Sequence, residues 1–306
     1  WHDYQHITFW FFGGIQRNRA AQGKSFKRKG AGRELFADDA FFKAAAETIR
    51  ARMGRMHPIN LTYFVWTFAR AGIVVPGLMD AVGDHLCEGR LPLLDRCSLG
   101  TILWNFSRLR ARHDWLFETA AIELSRSNRI RSLAPRNIQN IVIAYGQSKC
   151  WNEPLFISLA RGMVRLLDHH DPVSPKLDRK LLFSYTCRDG SEVRADSFRI
   201  NGLGVILANL RRLGVSGESM GACIASMADY VWRSIERSPK AFREPGDACA
   251  FTRELVCISR DAPELGITHL LPPVCARFQE LCEGATDRQR RELESALRDV
   301  GMPPKL

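Results

Sequence analysis

Apolar residues recur along the chain at the spacing of a helix that buries one face. The first such segment begins at Leu61, and Gly72 follows it. Glycine readily takes the left-handed conformation in which many helices end. Pro76 comes next, before a second apolar segment from Leu78 to Leu86. The pattern therefore predicts two helices joined by a short turn. The core-facing stripe of the first helix comprises Leu61, Val65, Phe68 and Ala69.

The same pattern returns at nearly fixed intervals. Phe68 has counterparts 38 residues later at Phe106, a further 39 later at Tyr145 and a further 65 later at Leu210. Residues 41–49 resemble the second half of a unit, and residues 251–281 are read as a degenerate fifth copy. A two-helix unit of this length does not bury its own stripes, so neighbouring units must stack. The predicted fold is an all-α, right-handed α-solenoid with a repeat of about 38 residues.

Two stretches do not follow the repeat pattern: the basic segment 13–33 and the extra residues between the third and fourth units. They define the predicted domain organisation. Asp189-Gly190 is a hairpin signal, although a helical insertion fits this region equally well. A charged helix is predicted over Asp287 to Asp299, ended by Gly301 and by Pro303-Pro304. The predicted divisions are an aromatic and basic N-terminal arm (1–40), helical repeats (41–170), an insertion (171–200), and degenerate repeats with a C-terminal helix (201–306).

Composition favours a polyanionic partner. The 306 residues include 44 Lys+Arg against 33 Asp+Glu, a formal net charge of +11, and 35 of the basic residues are arginine. Arginine matches the geometry of phosphate better than lysine does, although a biased coding sequence also raises its frequency. The longest uncharged aromatic run is too short for a membrane span. The nine cysteines include no Cys-x-x-Cys pair, so neither a disulfide scaffold nor a zinc site is predicted.

The basic arm is the first predicted RNA contact. Residues 13–33 contain no acidic residue and no apolar stripe, so we expect a flexible segment that gains order on an RNA backbone. A residual targeting peptide or a contact with an acidic protein is the alternative. The arm residues predicted to contact RNA are Arg17, Arg19, Lys24, Lys27, Arg28, Lys29 and Arg33.

The second predicted contact is the helix face opposite the core stripe. An advance of 100° per residue from Phe68 places residues 63, 66, 67 and 70 on this face. One nucleotide per unit is predicted to bind there, and a solvated helix face is the alternative. The equivalent pairs are Thr67/Arg70, Asn105/Arg108, Ala144/Gln147 and Asn209/Arg212, and Arg110, Arg112 and Arg211 extend the positive strip toward phosphates.

No catalytic residue, metal site or cofactor is predicted. Gly217 to Gly221 matches the Gly-x-Ser-x-Gly nucleophile elbow, but that motif needs a strand before Ser219 and the preceding residues have helical periodicity. His169-His170 lacks a third ligand at a recognisable spacing. The chain contains no glycine-rich phosphate loop, so we expect a protein that is not an enzyme.

The segment Leu61 to Gly72, with the pattern Leu-x4-Trp-x-Phe-Ala/Ser-x2-Gly, and the leucine-rich segment after it resemble the octotricopeptide and heptatricopeptide repeat proteins of mitochondria and chloroplasts. The resemblance covers residues 41–235 and implies a solenoid that binds organellar RNA. Unlike typical sequence-reading members, the chain has only four convincing units, and no RAP-type domain follows them.

These departures, together with the resemblance, imply a structural, rRNA-contacting component of a mitochondrial ribosome or similar ribonucleoprotein. Its partners would be RNA and the neighbouring proteins of a large complex, without a membrane span. The implied location is the mitochondrial matrix, with the plastid as the alternative. A protein-only scaffold, such as a supernumerary subunit of an organellar membrane or energy-converting complex, is the alternative function.

Overall fold

The structure is a computed structural model that describes residues 39–126, 129–130, 133–169, 184–186, 192–194, 198, 200–237, 246–282 and 285–302. The predicted RNA contacts of the basic arm lie outside these residues. They therefore stay predictions.

Nearly all regular structure in the described residues is helical. Short 3-10 turns cover Met53–Arg55, Leu91–Leu93, Pro263–Leu265 and Ile267–Leu270. The α-helices are α1 (Asp39–Arg52), α2 (Pro58–Ala71), α3 (Leu78–Cys87), α4 (Arg96–Arg108), α5 (Asp114–Ser125), α6 (Pro135–Ser148), α7 (Glu153–His169), α8 (Ile200–Leu213), α9 (Glu218–Arg237), α10 (Asp247–Asp261), α11 (Leu271–Ala276), α12 (Phe278–Leu281) and α13 (Asp287–Asp299).

Two short strands lie in the predicted insertion. β1 (Ser184–Thr186) and β2 (Glu192–Arg194) pair in antiparallel fashion, with Ser184 opposite Arg194. The structure therefore decides for the hairpin and against a helical insertion here. The predicted C-terminal helix is confirmed as α13, which Thr286 caps by a reciprocal bond with Gln289.

The chain divides into two compact units, residues 1–119 and 120–306. Within each unit, most helices pack mainly on the helix two places along the chain, and α10 packs on α13, three places along. In the first unit α2 packs on α4 and α1 on α3; in the second, α6, α8, α10 and α13 pack in sequence, and α7 packs on α9. Within the first unit we call α2 and α4 layer A, and within the second unit we give the same name to α6, α8, α10 and α13, so that the name applies to each unit by itself. The alternating set is layer B (α1 and α3 in the first unit, α7 and α9 in the second), and α5, whose residues fall in both units, is assigned to it by its order in the chain.

The predicted apolar stripes form the core. Leu61, Val65 and Phe68 of α2 are buried, as are Leu203 and Leu210 of α8. Burial of one such side chain stabilises the fold by about 1.5–3 kcal/mol. These helical pairs fit the coarse expectation of an α-solenoid. In the part of the chain that the structure describes, no helix is both long enough and apolar enough to cross a membrane.

One C-terminal cap recurs in four layer A helices. After each helix comes a residue with positive φ, and the next N–H donates to the carbonyl five residues earlier, which is the Schellman motif. The positive-φ residues are Gly72 (72°), Arg110 (54°), Lys149 (54°) and Gly214 (64°). The bonds run from Ile73 to Phe68 (3.1 Å), Ala111 to Phe106 (3.0 Å), Cys150 to Tyr145 (3.1 Å) and Val215 to Leu210 (3.4 Å).

The recurrence of this cap predicts that Arg110→Gly stabilises the protein. A non-glycine residue in the left-handed region carries a steric cost of about 1–2 kcal/mol, part of which glycine's greater freedom in the unfolded chain offsets. We expect a gain of about 0.5–1 kcal/mol in the free energy of urea unfolding. The matched control is Gly72→Ala, which has open space for its Cβ but a φ of 72°, and which should lose stability. A loss of stability in Arg110→Gly would contradict the assigned cap.

Candidate nucleic-acid interface

The last turns of four layer A helices carry exposed polar side chains. Arg70, Arg108, Gln147 and Arg212 end α2, α4, α6 and α8, and all four are exposed as predicted. Each lies next to the positive-φ cap of its helix. These residues form the exposed strip of layer A in each unit.

The other half of the predicted outer face is not at the surface. Thr67, Asn105, Ala144 and Asn209 are all buried, and Asn105 is fully inaccessible. The predicted RNA contacts of Asn105 and Asn209 are therefore wrong. In α8 the physical reason is visible, because the helix lies between two neighbours. A Cβ added to Gly146 of α6 would lie 2.5 Å from Oδ1 of Asn209, and one added to Gly204 would lie 3.4 Å from the Phe251 Cα of α10.

The buried polar side chains satisfy their donors within their own helices. Asn105 Nδ2 donates to the Thr101 carbonyl at 2.8 Å, and Asn209 Nδ2 donates to the Val205 carbonyl at 2.8 Å. Thr67 makes the same bond to the carbonyl four residues before it. Such back-bonding is the usual solution for a polar residue inside a helix. These residues therefore serve helix packing.

Arg211 is also engaged inside the protein. Its guanidinium lies 3.1 Å from a carboxylate oxygen of Glu254 and 3.4 Å from one of Asp261, both on α10. Glu254 is buried and also accepts a 2.6 Å bond from Arg253. The prediction that Arg211 enlarges a strip open to phosphate is wrong, because α10 already supplies its anions.

Salt bridges continue from α10 to α13. Arg253 pairs with Glu292, and Arg260 lies 3.2 Å from Asp299. Burial acts to raise the pKa of Asp261, but hydrogen bonds and charges from Arg260 and Arg211 outweigh it, so the pKa is lowered. Helix α10 thus brings acidic residues into layer A of the second unit, so the acid-free helices of that unit are α6 and α8.

Arg112 has a surface partner. Its Nε lies 3.0 Å from Asp114 Oδ1, and its side chain is 81% exposed. The hydrogen bond from Arg112 lowers the pKa of Asp114. An exposed pair of this kind contributes little to stability because solvent screens it. A phosphate would therefore compete with a carboxylate for this guanidinium, and Arg112 is a weaker candidate than the arginines without an acid nearby.

Charge is segregated among helices α2 to α9, whereas α10 and α13 of layer A are rich in acidic residues. Helices α2, α4, α6 and α8 contain six arginines and no acidic residue, whereas α3, α5, α7 and α9 contain ten acidic residues and four arginines. The six arginines are Arg70, Arg96, Arg108, Arg136, Arg211 and Arg212. The ten acidic residues are Asp80, Asp84, Asp114, Glu118, Glu123, Glu153, Asp168, Glu218, Asp229 and Glu236.

Two arginines of the first unit lie over tryptophans of their own helices. The Arg70 Cζ is 5.6 Å from the centre of the Trp66 ring, and the Arg108 Cζ is 5.0 Å from the centre of the Trp104 ring. Both tryptophans are half-buried. A cation–π contact at an exposed site is worth about 0.5–1 kcal/mol. The arginine content of the chain alone does not predict either pair. The sequence signal for each pair is a tryptophan four residues before an arginine, a spacing that places both side chains on one side of a helix.

Within the described residues, no carboxylate pairs with Arg70, Arg108 or Arg110. Arg110 is exposed in the cap after α4. The guanidinium donors of these three residues therefore remain available to an anion. Together they make the last turns of α2 and α4, with their caps, the strongest candidate for a phosphate contact in the first unit.

The described residues hold no cluster of three or more histidine, cysteine or carboxylate side chains suited to a metal ion. Ser219 lies in the first turn of α9, and the segment before it contains helix α8 where a nucleophile elbow needs a strand. Burial raises the pKa of the Cys223 thiol to about 12, which disfavours a reactive thiolate there. Comparison with protein-family models and with curated proteins finds no match to this chain.

The neighbouring residues Arg211 and Arg212 should differ in their effect on stability. Arg211→Gln removes a partner of buried Glu254, so we expect a loss of about 1–3 kcal/mol in the free energy of unfolding. Arg212→Gln is the matched control and should change it by less than about 0.5 kcal/mol, since Arg212 is exposed. Urea unfolding followed by circular dichroism measures both. Equal losses in the two variants would show that the pairing with α10 is not what holds Arg211.

Proposed function

We propose that this protein binds RNA, without catalysing a reaction on it, through the exposed strip of layer A in each unit. The observation that carries the proposal is the charge segregation. Net charge alone makes a chain attractive to any polyanion. Within each unit, acid-free helices (α2 and α4, or α6 and α8) alternate along the chain with acid-rich ones, which adds a direction because the arginines of the acid-free helices face no acid on their own helix.

Phosphate is the ligand chemistry that suits this strip. Arginine presents a planar fork of donors that bonds two phosphate oxygens at once. Arg70, Arg108 and Arg212 keep their guanidinium groups at the surface. Neutralising phosphates releases condensed counterions, which supplies most of the sequence-independent affinity for nucleic acid. The proposed contacts are therefore made chiefly to the RNA backbone.

Under the same proposal, the helix pairs are copies of a unit of about 38 residues. The recurrent caps support this, since the positive-φ residues Gly72, Arg110 and Lys149 follow one another at 38 and 39 residues. The resemblance to organellar repeat proteins then extends the proposal to a structural, rRNA-contacting component of a mitochondrial ribosome or similar particle in the matrix. In that setting, the arm at residues 13–33 adds further backbone contacts.

A protein scaffold is the second candidate function. Trp115 and Ile122 are 50% and 61% exposed, and they lie seven residues apart on α5, which places them on the same side of that helix. Exposed apolar pairs of this size favour a protein neighbour. A ribonucleoprotein component would use such a surface as well, so the charge distribution decides between the two functions.

Affinity for RNA should fall steeply with added salt and should depend on layer A. For a single strand, the slope of log K against log salt is about −0.7 for each phosphate that is neutralised. We expect Arg70→Glu/Arg108→Glu to weaken binding of a 20-nucleotide RNA about tenfold or more in 0.15 M salt. The slope should become shallower by about 1.4 as two phosphate contacts are lost. Fluorescence anisotropy across a salt series measures both quantities.

The matched control is Arg161→Glu/Arg165→Glu, in which the net charge changes equally but the exposed arginines belong to α7 of layer B. We expect this control to bind RNA within about threefold of the parent, because long-range attraction is partly screened at this salt concentration. An equal loss in both double variants would contradict a layer A interface. RNA binding that is absent or insensitive to salt would favour the protein scaffold.

Deletion of residues 13–33 should lower the affinity for unrelated RNA sequences alike, because the proposed contacts of the arm are to phosphates. Competition among three RNAs of equal length and different sequence measures the effect. A loss confined to one sequence would contradict backbone contact by the arm.

A further inference from the structure

Helices α2 and α4 present the same pair of residues at the same place. They pack against each other in layer A, and each ends with an arginine over a tryptophan four residues before it. At the corresponding positions, α6 has Ile143 and Gln147. The α8 positions likewise lack a tryptophan, so the paired arrangement is a feature of the first unit among these four helices.

The Trp–Arg pairs offer two kinds of contact at once. The tryptophans are half-buried and add an aromatic surface to the strip, and exposed Tyr63 precedes Trp66 by three residues on the same side of α2. The guanidinium groups of Arg70 and Arg108 have no carboxylate partner among the described residues. Each position thus combines a flat surface suited to stacking with donors suited to an anion.

A nucleotide with an unpaired base fits both contacts. A base stacks on an aromatic ring or on a guanidinium plane, while the adjoining phosphate accepts the N–H donors. A phosphate without a base gains nothing from the indole. A base inside a duplex is already stacked on both faces and is not available to the side chains.

We infer that Trp66–Arg70 and Trp104–Arg108 are two stacking platforms for unpaired bases, which makes single-stranded RNA the ligand class of the first unit. The inference rests on the proposed function, because it assumes that RNA is the polyanion bound. It goes beyond that function by predicting that the bases, and not the phosphates alone, contribute to affinity.

The test keeps the charge and removes the planar group. In the double variant Arg70→Lys/Arg108→Lys, each position stays cationic but loses the guanidinium plane. The probes are a 12-nucleotide single-stranded RNA, an abasic ribose–phosphate strand of the same length and the corresponding RNA duplex. The expected results are a loss of about tenfold or more for single-stranded RNA and a loss of about two- to threefold for the abasic strand, which loses only the bidentate phosphate bonds of the two guanidinium groups.

Two further measurements support the same test. Arg161→Lys/Arg165→Lys on α7 is the control and should bind all three probes as the parent does. Trp104→Phe keeps a smaller ring and should produce an intermediate loss for single-stranded RNA alone. Thermal unfolding of each variant checks that the fold is retained. If the double lysine variant is unstable, Trp104→Phe still tests the stacking platforms.

The outcomes separate the two proposals. A parent protein that binds none of the three probes in a salt-dependent way overturns the RNA-binding proposal itself. A parent that binds the abasic strand as tightly as the single-stranded RNA leaves RNA binding intact and overturns the platforms. Equal losses for both strands in the double lysine variant, or no loss in either, also overturn the platforms.

Discussion

The structure depends on the stacking of alternate helices, in which most helices pack on the helix two places along the chain. A two-helix unit exposes apolar stripes that only a neighbouring unit covers, so the layer A helices α6, α8, α10 and α13 pack in sequence. In α8, one flank meets Gly146 of α6 and the other meets Phe251 of α10. A helix held in this way keeps only a narrow strip for solvent and ligands. What the protein can bind is therefore decided by the few positions that the stacking leaves exposed.

The side chains next to each arginine determine whether its guanidinium pairs within the protein or remains available to a ligand. Arg211 meets two carboxylates of α10 and becomes part of the interface between helices. Arg112 pairs with Asp114 at the surface. Arg70 and Arg108 instead lie over tryptophans and keep their donors for an external anion. Similar positive charges thus hold α8 and α10 together in the second unit and form part of the proposed RNA surface at α2 and α4 in the first.

Local features of the fold were predictable from the sequence, and features that depend on distant residues were not. The helix ending at Gly72 and the C-terminal helix Asp287–Asp299 follow from short-range signals, and the structure confirms them. The burial of Asn105 and Asn209 escaped prediction because the angular argument assumes one buried face per helix. No charged residue occurs at positions 67, 105, 144 and 209. This is the sequence signal that a second side of each of these helices is buried. The pairing of Arg211 with Glu254 joins residues 43 positions apart, and no local pattern contains it.

The most direct test of the account is to map which arginines RNA covers. The parent protein is treated with phenylglyoxal, which modifies accessible guanidinium groups, in the presence and absence of single-stranded RNA, and modification is read by mass spectrometry. The account predicts that RNA protects the exposed arginines of layer A and leaves those of α7 in layer B reactive. Protection of the α7 arginines instead, or no protection at either set under conditions of saturating RNA, would contradict it. The layer A set is Arg70, Arg108 and Arg212, which lie in the last turns of their helices, and the α7 set is Arg161 and Arg165.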